Sequence, residues 1–440
     1  MKNKIWENYN NSNSLLVIAS YPKKRETYSK GVCAVSSFTK NTISGLQKEN
    51  PGKKIIVLTM ILKKPEVYEE DGILVIRCFK RNNPLSYIEI LKNANRFNKV
   101  KSTLIEFEFA SFGNTIATGM IAPLTWLLFL LGKDITMVIH QVLFDLKKIS
   151  GHIGISANNP KTMILNLLLK LFYKALTMPV KNIVVLEDEF KKRLELLIGK
   201  GKINVIPHGV DFNIENNSAD TARINKKLGI KKNDFIILYF GYLTWYKGVD
   251  FLIKALKDKH TLNGKRIKLV VAGGPSFTQE KKAHYQKFLN KVNNEAKKSK
   301  NTIITGFVDE KDITPIFKAS DLVVLPYRTF MSSSGPLSLA LSHEKPFIIS
   351  RKLELLLSSK DVRQSMDYAN IARDDILFDL NAKSLVLTIK NASATKTHQK
   401  MVKFSKALGQ ERSFLKLAKS YNEIISKNME YEFKPALSSA

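Results

Sequence analysis

Three observations on this sequence predict an α/β protein of two doubly wound domains. Short apolar runs alternate with longer helical patterns from end to end, the runs are apolar throughout instead of at every second residue, and one polar stretch divides the series near its middle. Continuous hydrophobicity marks strands buried on both faces, as a parallel sheet covered by helices requires. The predicted strands of the first half are "LLVIAS", "KIIVLT", "ILVIRC", "LIEFEF", "TMVIH" and "NIVVLE"; those of the second are "FIILYF", "KLVVAG", "TIITG", "DLVVLP", "PFIIS" and "DILF". The divide is the asparagine-rich "DFNIENNSADTARINKK", residues 211–227, read as a linker. The expected organisation is a first domain over 1–210, a second over 228–410, a terminal helix over 411–428 crossing back to the first domain, and a frayed tail over 429–440.

The chain has 440 residues and 44% hydrophobic content, enough for two full cores. Seventy Lys and Arg against 39 Asp and Glu leave a net charge of +31, which points to an anionic partner: nucleic acid, an acidic membrane face or a phosphorylated substrate. No RNA or DNA module and no basic-aromatic stripe is recognisable, so nucleic acid is not expected. Cys33 and Cys78 stand outside any metal-ligand spacing, which argues against a disulfide framework or zinc site and favours the cytoplasm. The head "MKNKIWENYNNSNS" lacks the apolar core of a secretory signal. "MIAPLTWLLFLL", residues 120–131, is too short to span a bilayer and reads as a buried or an interfacial helix. In "KTMILNLLLKLFYKALTM", residues 161–178, Thr162, Asn166, Lys170 and Lys174 form one polar stripe in an apolar surround, which predicts a core helix, with a membrane-lying one as the alternative. The lysine-rich helix at 280–300 reads as a solvated face.

Three strand ends carry the chemistry. In "YFGYLTWYKGVDFLIKAL" the strand stops at Phe240, Gly241 permits a tight turn, and Lys247 and Gly248 stand at the start of an amphipathic helix; backbone N–H groups there attract phosphate and a lysine adds a full charge. The plain alternative is an ordinary loop with a solvent lysine. In "SSSGPLSLAL" Ser334 or Gly335 can cap a second helix and Pro336 suits its first position, so the hydroxyls of Ser333 and Ser334 and the amides reaching to Leu337 face one point. Two such starts can clamp one diphosphate. "VVAGGP" adds Gly273 and Gly274, where a backbone can approach a nucleotide closely.

"VIPHGVD", "GYLTWYKGVDFLIKAL", "LVVAGGP", "ITGFVDEKDITPIFKASDLVVLPYR" and "SSSGPLSLALSHEKPFI", in this order, resemble the nucleotide-binding half of the retaining, GT-B-fold family 4 glycosyltransferases. In the first half, Gly31 in "GVCAVSSFTKNTISGL" resembles the family's glycine-plus-helix opening on the acceptor side, "FEFASFG" its glutamate-bearing strand end with Glu108, and "VIHQVLFD" its histidine strand end with His140. The resemblance implies two Rossmann-like domains facing a central cleft. It also implies transfer of a hexose from a nucleotide diphosphate sugar, a substrate and not a cofactor, to a glycan or lipid-linked phosphate acceptor with retention. By the same resemblance His140 touches the donor sugar; Glu108 suits an acceptor hydroxyl or the developing positive charge. No Asp-x-Asp metal site is present: Glu187 and Glu189 have the spacing but open a helix.

The sequence also departs from the family. Met331 and Leu339 occupy positions where many members carry glutamates, and Tyr242 stands where an arginine is common. Lys247, Gly248, Arg328, Ser334 and Gly335 match a branch with a Ser-Gly turn, and Arg328 becomes the expected second cation on the diphosphate. The missing glutamates keep open a catalytically silent subunit of the same fold, and an epimerase of that fold is a further enzyme option. The surplus charge of the first half, in "YPKKRETYSK", "KRNN" and "DLKKIS", is expected to meet an anionic membrane face from the cytoplasmic side.

Overall fold

The computed structural model describes residues 2–154, 156, 158–212 and 218–430. It divides into two compact units: one takes the residues up to Phe144, Asn166–Gly209 and those from Phe414 onward, the other Asp145–Leu165 and Val210–Ser413.

The first unit holds an eight-stranded sheet. Its strands are β1 (Leu15–Ile18), β2 (Ile55–Met60), β3 (Glu66–Glu70), β4 (Ile73–Phe79), β5 (Ser102–Phe107), β6 (Asp134–Ile139), β7 (Asn182–Val185) and β8 (Ile203–Val205). They run in the order β3-β4-β2-β1-β5-β6-β7-β8, parallel except for β3, which forms an antiparallel hairpin with β4 around Asp71 and Gly72, both at positive φ. Leu15, Val17, Val57, Val75, Leu104, Val138 and Val184 on one sheet face pack against Phe38 and Leu46 of the helix Val35–Glu49 and Leu417, Tyr421 and Ile425 of the helix Phe414–Glu430. These two helices approach so closely that a Cβ on Gly45 would sit 2.8 Å from the Phe414 carbonyl oxygen.

The second unit has seven strands: β9 (Asp234–Phe240), β10 (Thr261–Leu262), β11 (Lys265–Ala272), β12 (Thr302–Ile304), β13 (Leu322–Leu325), β14 (Phe347–Ser350) and β15 (Leu377–Phe378). The order is β10-β11-β9-β13-β14-β15, with β12 on the edge of β11 beyond β10; all pairs but β10–β11 are parallel. The central strands β9, β11 and β13 end side by side. In open parallel sheets ligands bind at such carboxyl ends.

Four expectations need correction. The 211–227 linker is in part a helix, Ser218–Lys227, because Ile224 is buried and Arg223 reaches Asp312 at 2.7 Å; residues 213–217 lie outside the described residues. Residues 145–165, read as part of the first domain, cluster with the second unit, which itself starts at Val210 and runs to Ser413. The terminal helix is Phe414–Glu430 and groups with the first unit, so its last two residues replace the start of the expected tail; 431–440 lie outside the described residues. The segment 161–178 is not the core helix expected, and 120–131, left open between buried and interfacial, is buried on one side only. The helix Ile121–Leu130 buries Ile121, Leu124, Thr125 and Leu128 but exposes Leu127, Phe129 and Leu130, and Pro160–Thr177 buries Thr162, Tyr173 and Leu176 while exposing Leu167, Leu168 and Leu171. The polar stripe of the second helix is split, Thr162 inside and Lys170 and Lys174 out.

Candidate functional site

In the second unit the chain leaves β9 at Gly241, whose φ of 116° is open only to glycine. Its amide donates to the Ala272 carbonyl at the end of β11, 2.9 Å away. A Cβ at 241 would stand 2.7 Å from Lys247 Nζ and 3.2 Å from Pro336 Cγ, so the lysine and the first turn of the helix Gly335–Ser342 meet over this glycine. The loop then makes a short 3-10 turn, Trp245–Lys247, and Gly248 at φ 71° opens the helix Val249–Leu256; a side chain on Gly248 would run into the Pro326 carbonyl oxygen. Gly273 is equally confined, its missing Cβ facing the Gly241 carbonyl, and a Cβ on Gly274 would lie 2.9 Å from the Phe307 amide. Gly241 and Gly273 thus let the backbones at the ends of β9 and β11 come together beneath the lysine, while Gly248 and Gly274 admit the chain beyond β13 and β12.

Lys247 is 8% exposed. Its ammonium lies 5.9 Å from the Tyr327 ring centre and has no hydrogen-bond partner among the described residues. Burial drives its pKa down to about 8, because removing a cation from water disfavours the charged form. An unpaired buried ammonium is costly, and a bound anion would relieve that cost. The helix beside it supplies polarity of the same sign. Ser334 caps it, accepting from the Leu337 amide at 3.2 Å, and its hydroxyl also meets Tyr327 Oη at 3.1 Å. Pro336 sits in the first turn, and the space beside Gly335 is open. Leu337 is buried under the turn and Ser333 precedes the cap.

Arg328 has other engagements. Its Nη1 donates to the Trp245 carbonyl at 2.6 Å, its Nη2 forms an ion pair with Asp250 Oδ1 at 2.8 Å, and the guanidinium lies 5.4 Å from the Trp245 ring centre. This arrangement makes it a brace for the Lys247 loop. Asp250, nearly inaccessible, is held from its other side by Lys291 at 3.0 Å. Sequence reading passed over Asp250, although an acid three residues after the lysine in an apolar helix was a usable signal.

In the first unit, Gly31 at φ 79° precedes the helix Val35–Glu49 with open space around its α-carbon. Glu108, just beyond β5, accepts from Gln141 Nε2 at 2.6 Å, Cys33 Sγ at 3.1 Å and Ser111 Oγ at 3.3 Å. His140 follows β6; its Nε2 and Glu106 Oε2 share a hydrogen bond of 2.6 Å, and Phe38 packs edge-on with ring centres 4.7 Å apart. His140 and Glu108 therefore stand at neighbouring strand ends, but the carboxylate that holds His140 is Glu106, fully buried on β5. Glu106 was visible as the acid inside the apolar run "LIEF". Among the described residues, no group of three or more His, Cys, Asp or Glu is placed to hold a metal ion.

Residues 220–369 match the family model of glycosyl transferases group 1. The group 1 stretch contains Gly241, Lys247, the glycine pair of β11, Arg328 and the Ser334-capped helix. The chain is similar to the lipopolysaccharide 1,2-N-acetylglucosaminetransferase of Salmonella typhimurium, 29% identical over 148 residues, which are 33% of this chain and 37% of that protein. The chain therefore aligns with little more than a third of that relative's length. Solved structures match almost throughout: sucrose-phosphate synthase from Thermosynechococcus elongatus, with TM-score 0.68 and 13% identity, covers 95% of this chain and 99% of its own. Anabaena HepE in complex with UDP and glucose, with TM-score 0.61 and 14% identity, covers 94% and 99%. The two Rossmann-like domains are those of the GT-B glycosyltransferase fold.

Proposed function

We propose that this protein is a retaining glycosyltransferase that moves a hexose from a nucleotide diphosphate sugar to a glycan or lipid-linked acceptor, without a metal ion. The observation that carries the reading is the buried Lys247 ammonium, without a hydrogen-bond partner among the described residues, over Gly241 and beside the Ser334-capped helix start. When the bond from the anomeric carbon to the diphosphate breaks, negative charge develops on the departing oxygens. A preformed cation and helix dipole stabilise it most where water is excluded. Arg328, through Asp250 and the Trp245 carbonyl, positions the lysine loop. In the first unit, His140, oriented by Glu106, is assigned to the donor sugar and Glu108 to an acceptor hydroxyl. Support for a UDP sugar is the UDP and glucose bound by the HepE structure, and support for a lipid-linked glycan acceptor is the name of the Salmonella relative.

Calorimetry with UDP and several UDP-hexoses, run beside mass spectrometry of products from incubated membranes, tests the proposal. Binding with turnover is expected, with the product anomer retained by NMR and activity surviving chelator. Turnover abolished by EDTA and restored by magnesium or manganese overturns metal independence; binding without turnover on any acceptor makes the chain a silent member of the fold.

A further inference from the structure

Among the described residues, 15 of the 24 large apolar side chains left exposed fall between Leu85 and Met178, about a fifth of the chain. Within the first unit they gather on two helices in contact: Trp126 Nε1 donates to the Ala175 carbonyl at 3.1 Å and Thr125 Oγ1 to that of Leu176 at 3.4 Å. Phe129 and Leu130, 50% and 73% exposed, lie on the first helix, and Leu167, Leu168 and Leu171, each more than half exposed, on the second. Single exposed leucines need no explanation, whereas a cluster on adjacent helices marks a docking surface.

We infer that these two helices form a face that docks onto an anionic lipid surface. The charges decide the occupant. The helix Ile121–Leu130 carries no charge, and the part of Pro160–Thr177 that lies in the first unit carries Lys170 and Lys174 with no carboxylate. Lysines flanking an apolar stripe place their stems along lipid chains and their ammonium groups among phosphates. A second copy of the same face would set these lysines against one another, since a two-fold contact pairs identical patches. Trp126 sits among them, and tryptophan favours the headgroup level of a bilayer. No described helix is long and apolar enough to cross a membrane, so the two helices lie along the surface. This inference does not depend on glycosyl transfer.

The test is sedimentation of the full chain with vesicles of phosphatidylcholine alone or mixed with phosphatidylglycerol, at low and high salt. Wild type should bind the mixed vesicles, and a part of that binding should survive high salt because apolar contact is not screened. Leu130→Glu and Leu168→Glu should each weaken binding about tenfold or more, and K170Q/K174Q should remove the preference for phosphatidylglycerol. On the unaltered protein, brominated lipid should quench fluorescence that Trp126→Phe removes, a readout that stands even if a glutamate variant misfolds. The inference is overturned if wild type stays in the supernatant with the mixed vesicles at low salt. It is also overturned if salt abolishes all binding while the leucine variants bind like wild type, or if the face instead supports a dimer that Leu168→Glu dissociates.

Discussion

Lys247 concentrates the chemistry of the candidate site in one titration. Its pKa near 8 in the free protein lies below the ordinary lysine value, and a bound diphosphate raises it by pairing the charge. Affinity for UDP should therefore be flat below pH 8 and fall by up to about tenfold per pH unit above it, as one proton must be taken up with the ligand. Lys247→Ala should lose about 1.5 to 3 kcal/mol of binding and this pH dependence together, both read by calorimetry across a pH series; a pH slope that persists in the variant assigns the titration elsewhere. The free protein responds oppositely. A lysine whose folded pKa is lowered makes the unfolded chain bind more protons between about pH 8 and 10.5, so its destabilising effect is full below pH 8 and fades as pH rises through that window. Arg328 makes a separate prediction: if it braces the loop through Asp250, Arg328→Ala and Asp250→Ala should each weaken UDP binding and the double variant should cost no more than the worse single one. Tighter binding in Asp250→Ala would show the arginine acting directly on the diphosphate.

Among the secondary-structure elements, the helix Gly335–Ser342 depends on its cap. Ser334→Ala removes the bond to the Leu337 amide and a partner of Tyr327, at a cost of about 1 kcal/mol, which should lower the melting temperature of the second unit by about 2 to 4 °C. Scanning calorimetry measures this directly, and an unchanged transition would mean that the cap is dispensable. All twelve strands read from apolar runs are present, because burial on both faces leaves an unbroken sequence signal. The three missed strands are short or polar edges: β3, "EVYEE", faces solvent, and β8 and β10 have only three and two residues. The glycine and serine punctuation made Gly241, Lys247 and the Ser334 turn legible. What the sequence hid was pairing across distance, such as His140 with Glu106 or Arg328 with Asp250, since which side chains converge depends on strand order. The exposed leucines of Pro160–Thr177 were hidden for a related reason: an apolar surround predicts burial, but only the packed structure shows which side of a helix finds a partner.

For the molecule as a whole, stability of the first unit rests on a helix remote in sequence. Leu417, Ala418, Tyr421 and Ile425 enter its core, and Phe414 packs against Gly45 and Gly209. Each large core side chain removed costs about 2 to 5 kcal/mol, so truncation after Ser413 should leave the first unit without a cooperative melting transition while the second still melts. Two transitions in the truncated chain would refute this. The same feature governs how the protein is made. Domains fold as units while the chain emerges from the ribosome, ordinarily the amino-terminal one first. Here the strands of the first unit emerge before Val210–Ser413 and the helix that seals them only after it, so the second unit can finish before the first is closed. During that interval Phe38, Leu46 and the sheet face beneath them stand open, and it is in this nascent state that the chain is most in need of a chaperone.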